Sequence, residues 1–274
     1  MTIRPAATVL VLRPGSAGPE VLLLKRSGRA GFFPDAWVFP GGRVDPADGD
    51  VETRGAVAGL EEEPQWAVAA LRETFEEAGI WLGDGALGAD LRAALNRREA
   101  SLAGAAGVVA DLSRVRWLTW WVTPPEEPKR YDTRFFVVEV TRDEVAHATP
   151  CAIETVESRW MRPSRAVAAQ RAGALFMAPP TVRVLEDLSE DLAAGRGVAA
   201  TPPRHGIAPR LVGGRANPAA GGAGPPEGMM VVLPGDPTYP SEHPVSGPTR
   251  IVLRGGAFRS EYAPGCGPDR EPAT

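Results

Sequence analysis

Two apolar stretches near the start of the chain, residues 5–13 and 20–26, are rich in Val and Leu and are separated by a turn-like segment at 15–19. The pattern predicts a hairpin or two neighbouring strands. Trp37, Val38 and Phe39 predict a short third strand, stopped by Pro40, Gly41 and Gly42. Residues 45–63 are polar and glycine-containing and read as a loop. The period then changes. Ala67, Ala70, Leu71, Thr74, Phe75 and Ala78 form one stripe of a 3.6-residue repeat, which predicts a helix over 64–78. Pro64 suits its first position and Gly79 the position just past its end. Glu73, Glu76 and Glu77 fall on the other side, so one face packs inward and the opposite face gathers carboxylates.

Further along, 86–103 reads as a less regular helix, and 115–122 and 133–140 as strongly apolar strands joined by a proline-rich turn. Another strand is expected over 155–161, then short helices near 163–171 and 179–193. Strands and helices mix without a regular βαβ rhythm, which favours an α/β sandwich with a mixed sheet over a doubly wound fold. After Gly195 the composition shifts: 28 of the 78 residues from 197 to 274 are Gly or Pro. Residues 229–233 and 250–253 nevertheless look strand-like. The expected organisation is a main domain over 1–195, a Gly/Pro-rich linker over 196–227, a β-hairpin extension over 228–260 packed on the main domain, and a disordered tail over 261–274.

Composition narrows the function. Of the 274 residues 43% are hydrophobic and 23% charged, and the net charge is −4, which argues against a non-specific nucleic-acid binder. No apolar run has the length of a membrane span, and the N-terminal stretch lacks a clean signal-peptide cleavage site. Two cysteines exclude a disulfide framework and make a reducing cytoplasm the default compartment. The three histidines show no metal-ligand spacing.

Like charges clustered on one helical face repel. A divalent cation among them turns repulsion into attraction, and ligands that are all oxygen suit Mg²⁺ or Mn²⁺ rather than Zn²⁺. Solvated glutamates supported by an Arg72–Glu76 pair are the plainer reading of the cluster alone. The flanking residues change the balance. The stretch Arg72-Glu73-Thr74-Phe75-Glu76-Glu77-Ala78-Gly79-Ile80 matches the second half of the Nudix box, departing only at Thr74, where an apolar residue is usual. Upstream, Phe39-Pro40-Gly41-Gly42 resembles the lead-in to that box. The chain therefore resembles a Nudix hydrolase over roughly residues 1–193. The usual box places its glycine 14 residues before the arginine, whereas Gly42 and Arg72 are 30 apart, so the box is split over 42–80 with an insertion at about 45–63. Counted back from Arg72, the first glutamate of the box falls at Pro64, with Glu63 beside it as a substitute. The insertion, together with Arg130-Tyr131-Asp132-Thr133 and Leu233-Pro234-Gly235-Asp236, resembles the branch of acyl-coenzyme A diphosphatases with an interrupted box. The coenzyme A signature upstream is partly visible in Leu23-Leu24-Lys25-Arg26-Ser27.

The resemblance implies an α/β/α sandwich and Mg²⁺- or Mn²⁺-dependent hydrolysis of a nucleoside diphosphate derivative such as coenzyme A or acyl-coenzyme A. ADP-ribose, NADH or a damaged nucleotide are alternative substrates, and a non-catalytic nucleotide-binding protein of the same fold is a further reading. It implies Glu76 and Glu77 as metal ligands, Glu73 as a further ligand or as the residue that positions the base, and the Gly41 carbonyl as an extra ligand. Arg72 would orient a glutamate. It also leaves a homodimer open. Glu154 and Glu157 are candidates for an acidic group outside the box. Arg130 and Arg134 are candidates for substrate phosphate, since arginine reads phosphate bidentately, although an ion pair with Asp132 is the alternative. Trp117, Trp120 and Trp121, clustered in an apolar strand, are expected in the core.

Overall fold

The computed structural model describes residues 2–30, 33–85, 87–198, 201–213 and 225–267. The first part of the chain forms β1 (Ile3–Arg13), β2 (Glu20–Arg26), β3 (Trp37–Val38), β4 (Gly41–Arg43), β5 (Glu52–Arg54) and helix α1 (Gln65–Ala78). There follow β6 (Gly83–Asp84), α2 (Ala89–Asn96), β7 (Val109–Asp111), β8 (Arg116–Val122), β9 (Arg130–Glu139) and β10 (Thr155–Met161). Helices α3 (Pro163–Arg171) and α4 (Pro179–Ala193) precede the last strands, β11 (Arg210–Val212), β12 (Met230–Val232), β13 (Arg250–Arg254) and β14 (Ala257–Glu261).

The main sheet runs β10-β2-β1-β9-β8, with β3 paired to β2 and β4 to β1. It is mixed. β1 and β9 are parallel from Ile3↔Arg130 to Leu12↔Glu139, and the other pairs are antiparallel. Because successive side chains in a strand point to opposite faces, an uninterrupted apolar run such as Val9 to Leu12 requires cover on both sides. Ala7, Val9, Val11 and Phe136 pack with Leu71 and Phe75 of α1. Leu10, Leu12, Leu23 and Val137 pack with Val167 of α3, Leu185 of α4 and Val231 and Ile251 of the C-terminal strands. The layers are α1, the main sheet, then α3 and α4 with the C-terminal sheet. This is the expected α/β sandwich.

Several expectations are adjusted. Helix α1 starts at Gln65, with Pro64 as its N-cap and Gly79, at φ 72°, as its C-cap. Thr74 fits its apolar position because it is fully buried and its hydroxyl donates to the Ala70 carbonyl one turn back. The segment read as a loop over 45–63 holds a 3-10 turn at Pro46–Asp50 and strand β5. The helix expected over 86–103 is shorter and is followed by a 3-10 turn at Leu102–Gly104. The C-terminal extension is a four-stranded antiparallel sheet, β11-β12-β13-β14, rather than a lone hairpin, and β11 lies inside the segment read as a linker. Residues 199–200 and 214–224 of that segment, and 268–274 of the tail, lie outside the described residues. The start of the segment read as a disordered tail is ordered: Glu261 ends β14 and Ala263 is buried.

Candidate active site

Helix α1 carries Arg72, Glu73, Glu76 and Glu77 in about one and a half turns, at the end where β4 and the 3-10 turn close over it. Arg72 is the centre. Its Nε and Nη2 donate to both oxygens of Asp48, at 2.7 and 3.1 Å. Nη1 donates to Glu73 at 2.9 Å and to Glu76 at 2.8 Å, and Nη2 also reaches the Arg43 carbonyl at 2.8 Å. Burial opposes the charge of Arg72, but the Asp48 hydrogen bonds and the charges of Glu73, Asp48 and Glu76 outweigh it and hold the guanidinium protonated.

Glu77 lies deeper, only 2% exposed, and its Oε2 accepts the Gly41 backbone N–H at 3.0 Å. Burial and the neighbouring charge of Glu73 push its carboxyl well above the usual range, against the Gly41 hydrogen bond and the charge of Arg26. Burial likewise raises Glu73, to about 7, with Arg72 opposing and Glu76 and Glu154 assisting. Glu76 is raised by burial too. The glycines before the helix are a packing requirement: a Cβ on Gly42 would sit 2.4 Å from the Glu73 carboxyl, and one on Gly41 2.4 Å from the Ala7 carbonyl oxygen.

A cavity of about 590 Å³ opens in front of these residues, lined by Gly41, Gly42, Asp48, Arg72, Glu73 and Glu76 and also by Arg26 and Glu154. Of the acidic residues proposed outside the box, Glu154 therefore joins the site. Glu157 does not; it pairs with Arg159 on the outer strand β10. Arg134 is also elsewhere. Its neighbours Thr133 and Phe135 face the cavity, so strand alternation turns Arg134 to the α1 face, opposite Ala7. There it packs over Trp66, Trp117 and Trp120 and pairs with Glu63. Arg130 has the same parity, and its Nε donates to the Thr123 carbonyl. Among the three tryptophans, Trp117 and Trp121 are buried as expected.

Two residues of the site were not singled out from sequence. Asp48 accepts the Arg72 fork, whereas Glu63, the substitute suggested for the first glutamate of the box, pairs with Arg134. Counting forward from Gly42 through five residues reaches Asp48, an aspartate where the box has its first glutamate. Arg26, inside the partial upstream signature, lines the cavity with its Nε buried and unpartnered.

Among the described residues no three acidic, His or Cys side chains already form a cluster that would hold a metal ion. Arg72 occupies Glu73 and Glu76 instead. The donor chemistry still fits a hard divalent cation. The carboxylates of Glu73, Glu76 and Glu154 share one cavity, each unfavourably close to another negative charge, and all offer oxygen.

The chain matches the model of the NUDIX domain over residues 2–182. It is similar to a crystal structure of a NUDIX hydrolase from Alicyclobacillus acidocaldarius, with 30% identity and a TM-score of 0.63, covering 74% of this chain and 99% of that one. It is 31% identical over 179 residues to putative nudix hydrolase 7 of Caenorhabditis elegans, across 62% of this chain and 56% of the relative. It is 26% identical over 248 residues to acyl-coenzyme A diphosphatase NUDT19 of Gallus gallus, across 65% of each. The chain thus spans between about half and two thirds of the length of these two curated relatives.

Proposed function

The chain belongs to the NUDIX domain family, and from that premise we propose that it hydrolyses the diphosphate linkage of a nucleoside diphosphate derivative with the aid of Mg²⁺ or Mn²⁺. Coenzyme A and acyl-coenzyme A are the substrates we favour. The observation that carries this reading is the Arg72 fork, which gathers Asp48, Glu73 and Glu76 at the wall of one cavity. An acidic wall of this kind repels a diphosphate on its own. A divalent cation bound there would neutralise that charge and polarise the phosphoryl oxygens.

The residues of the chain divide the remaining work. Glu73, Glu76 and Glu154 would hold the cation, with Glu77 and the Gly41 carbonyl behind them. Arg72 fixes two of these carboxylates in place through one nitrogen, so they are oriented before a ligand arrives. Arg26 lines the same cavity, and its guanidinium suits a phosphoryl oxygen. The resemblance of part of the chain to an acyl-coenzyme A diphosphatase supports the coenzyme A substrates.

Phosphorus NMR of the full chain with coenzyme A, octanoyl-coenzyme A, ADP-ribose and NADH, in Mg²⁺ and in EDTA, tests the proposal. The expected result is replacement of the diphosphate resonances by two monophosphate resonances in Mg²⁺ only. Folded protein that cleaves none of the four would contradict it.

A further inference from the structure

Glu76 and Glu77 come from α1, whereas Glu154 comes from the turn that leads into β10. Their mutual placement is set at the end of the helix. An α-helix leaves its last four carbonyls without a partner inside the helix. In α1 these belong to Phe75, Glu76, Glu77 and Ala78. The Phe75 carbonyl accepts the Gly79 N–H. The other three are taken up by α2 and by the turn over residues 149–155.

The Glu76 carbonyl accepts Arg92 Nε at 2.9 Å and Asn96 Nδ2 at 3.2 Å, both from α2. The Glu77 carbonyl accepts the Cys151 N–H at 3.0 Å and the Thr155 hydroxyl at 3.1 Å. The Ala78 carbonyl accepts the Thr149 N–H at 2.9 Å. Arg92 then joins the two segments. Its Nη2 donates to the Thr149 carbonyl at 2.7 Å and its Nη1 to the Thr149 hydroxyl at 3.3 Å. One guanidinium thus spans the backbone of a site glutamate and the turn that brings Glu154 to the cavity. The helix dipole favours a cation at this end. The fastening has a force to resist, because the charge of Glu154 acts unfavourably on Glu73, Glu76 and Glu77. A turn tied less firmly would draw back from them.

We propose that Arg92 is a positioning residue of the site. With Thr155 as a second fastening, it holds Glu154 in register with Glu76 and Glu77, so that carboxylates from two parts of the chain converge before a cation arrives. Both residues lie outside the box, and neither is among those lining the cavity, so each acts through Glu154. The inference rests on the reading above that Glu154 helps to hold the cation.

Mn²⁺ binding to the full chain without substrate, followed through the paramagnetic resonance of free Mn²⁺, tests the role. Arg92→Ala and Glu154→Gln should each weaken binding about tenfold or more, the usual cost of losing the support of a ligand. The double variant should bind within about threefold of Glu154→Gln alone, since Arg92 then has no ligand left to position. Arg92→Lys keeps the charge but cannot bridge both carbonyls, and should lose about threefold or more; it replaces Arg92→Ala if the alanine variant does not fold. Thr155→Val leaves the Cys151 N–H on the Glu77 carbonyl and should lose about threefold. An Arg92 variant with a lowered melting temperature but wild-type Mn²⁺ affinity, or losses that add in full in the double variant, would overturn the positioning role and leave the hydrolase reading standing. Unchanged affinity in Glu154→Gln, or a wild type that binds no Mn²⁺, would overturn the cation reading beneath it as well.

Discussion

Arg72 and Asp48, twenty-four positions apart, are joined by both arms of a guanidinium fork in a place where Asp48 is 2% exposed. This contact restores the link that the insertion interrupts. The extra residues lie after Asp48, between the two halves of the motif, so the arginine still meets the acidic residue that follows Gly42.

Breaking a buried pair leaves an uncompensated charge and costs about 3–5 kcal/mol. Asp48→Asn should therefore lower the melting temperature by many degrees and also disorder Glu73 and Glu76, reducing turnover. Glu63→Gln removes a partner of Arg134 that is 48% exposed, and exposed pairs contribute about 0–1 kcal/mol. Thermal denaturation of both variants decides which carboxylate matters. A larger loss from Glu63→Gln would contradict the assignment.

Glu73 sets a pH dependence. Its folded pKa, near 7, lies above the unfolded value of 4.5, so the folded form holds a proton that the unfolded chain releases first. Its contribution to metal-free stability is complete below 4.5 and is lost as the pH rises through 7. Glu77, which burial also raises, acts in the same direction. Mg²⁺ competes with those protons. The increase in melting temperature produced by Mg²⁺ should thus be small at pH 5.5 and several degrees at pH 8. A shift that shrinks with rising pH would show that the carboxylates are not the cation site.

The close approach of Gly42 to Glu73 yields a separate test. Gly42→Ala places a methyl group where the Glu73 carboxyl now stands. The carboxyl can swing away, so the fold should survive with a loss of about 1–3 kcal/mol. Turnover should drop tenfold or more because Glu73 leaves the Arg72 nitrogen. Unchanged kcat with normal folding would remove Glu73 from the site.

Removal of residues 196–274 probes the C-terminal sheet. Met229, Val231, Ile251, Leu253 and Phe258 are buried in the core shared with α3 and α4. At about 1.5–3 kcal/mol per side chain, their loss rivals the stability of a whole domain. The shortened protein is expected to aggregate. A soluble, cooperatively unfolding fragment would show that the sheet is an appendage.

The main strands and α1 were legible because their period and punctuation are local. Val9 to Leu12 announces a strand covered on both faces, and Gly79 announces a helix end. Asp48 is less legible because the insertion separates it from Arg72, and only its spacing from Gly42 marks it. The charge of Arg134 suggests a phosphate ligand, but its parity in β9 does not, because Thr133 and Phe135 hold the cavity face. The part of β11 in the cavity was hidden by composition. Glycines and prolines around Leu211 made a short strand look like a linker, and only pairing with β12 reveals it. Glu154 joined the site through a long-range contact, the Ser27 N–H donating to its carbonyl, which no local pattern encodes.

Glu77→Gln is the most direct test of the central claim, that buried carboxylates on α1 hold a cation for diphosphate hydrolysis. Glutamine keeps the side chain's volume and can still accept the Gly41 N–H, so folding should be intact or improved. Mg²⁺-dependent cleavage should fall by at least a hundredfold while the melting temperature in EDTA stays equal or rises. Cleavage at the wild-type rate, or cleavage that persists in EDTA, would contradict it.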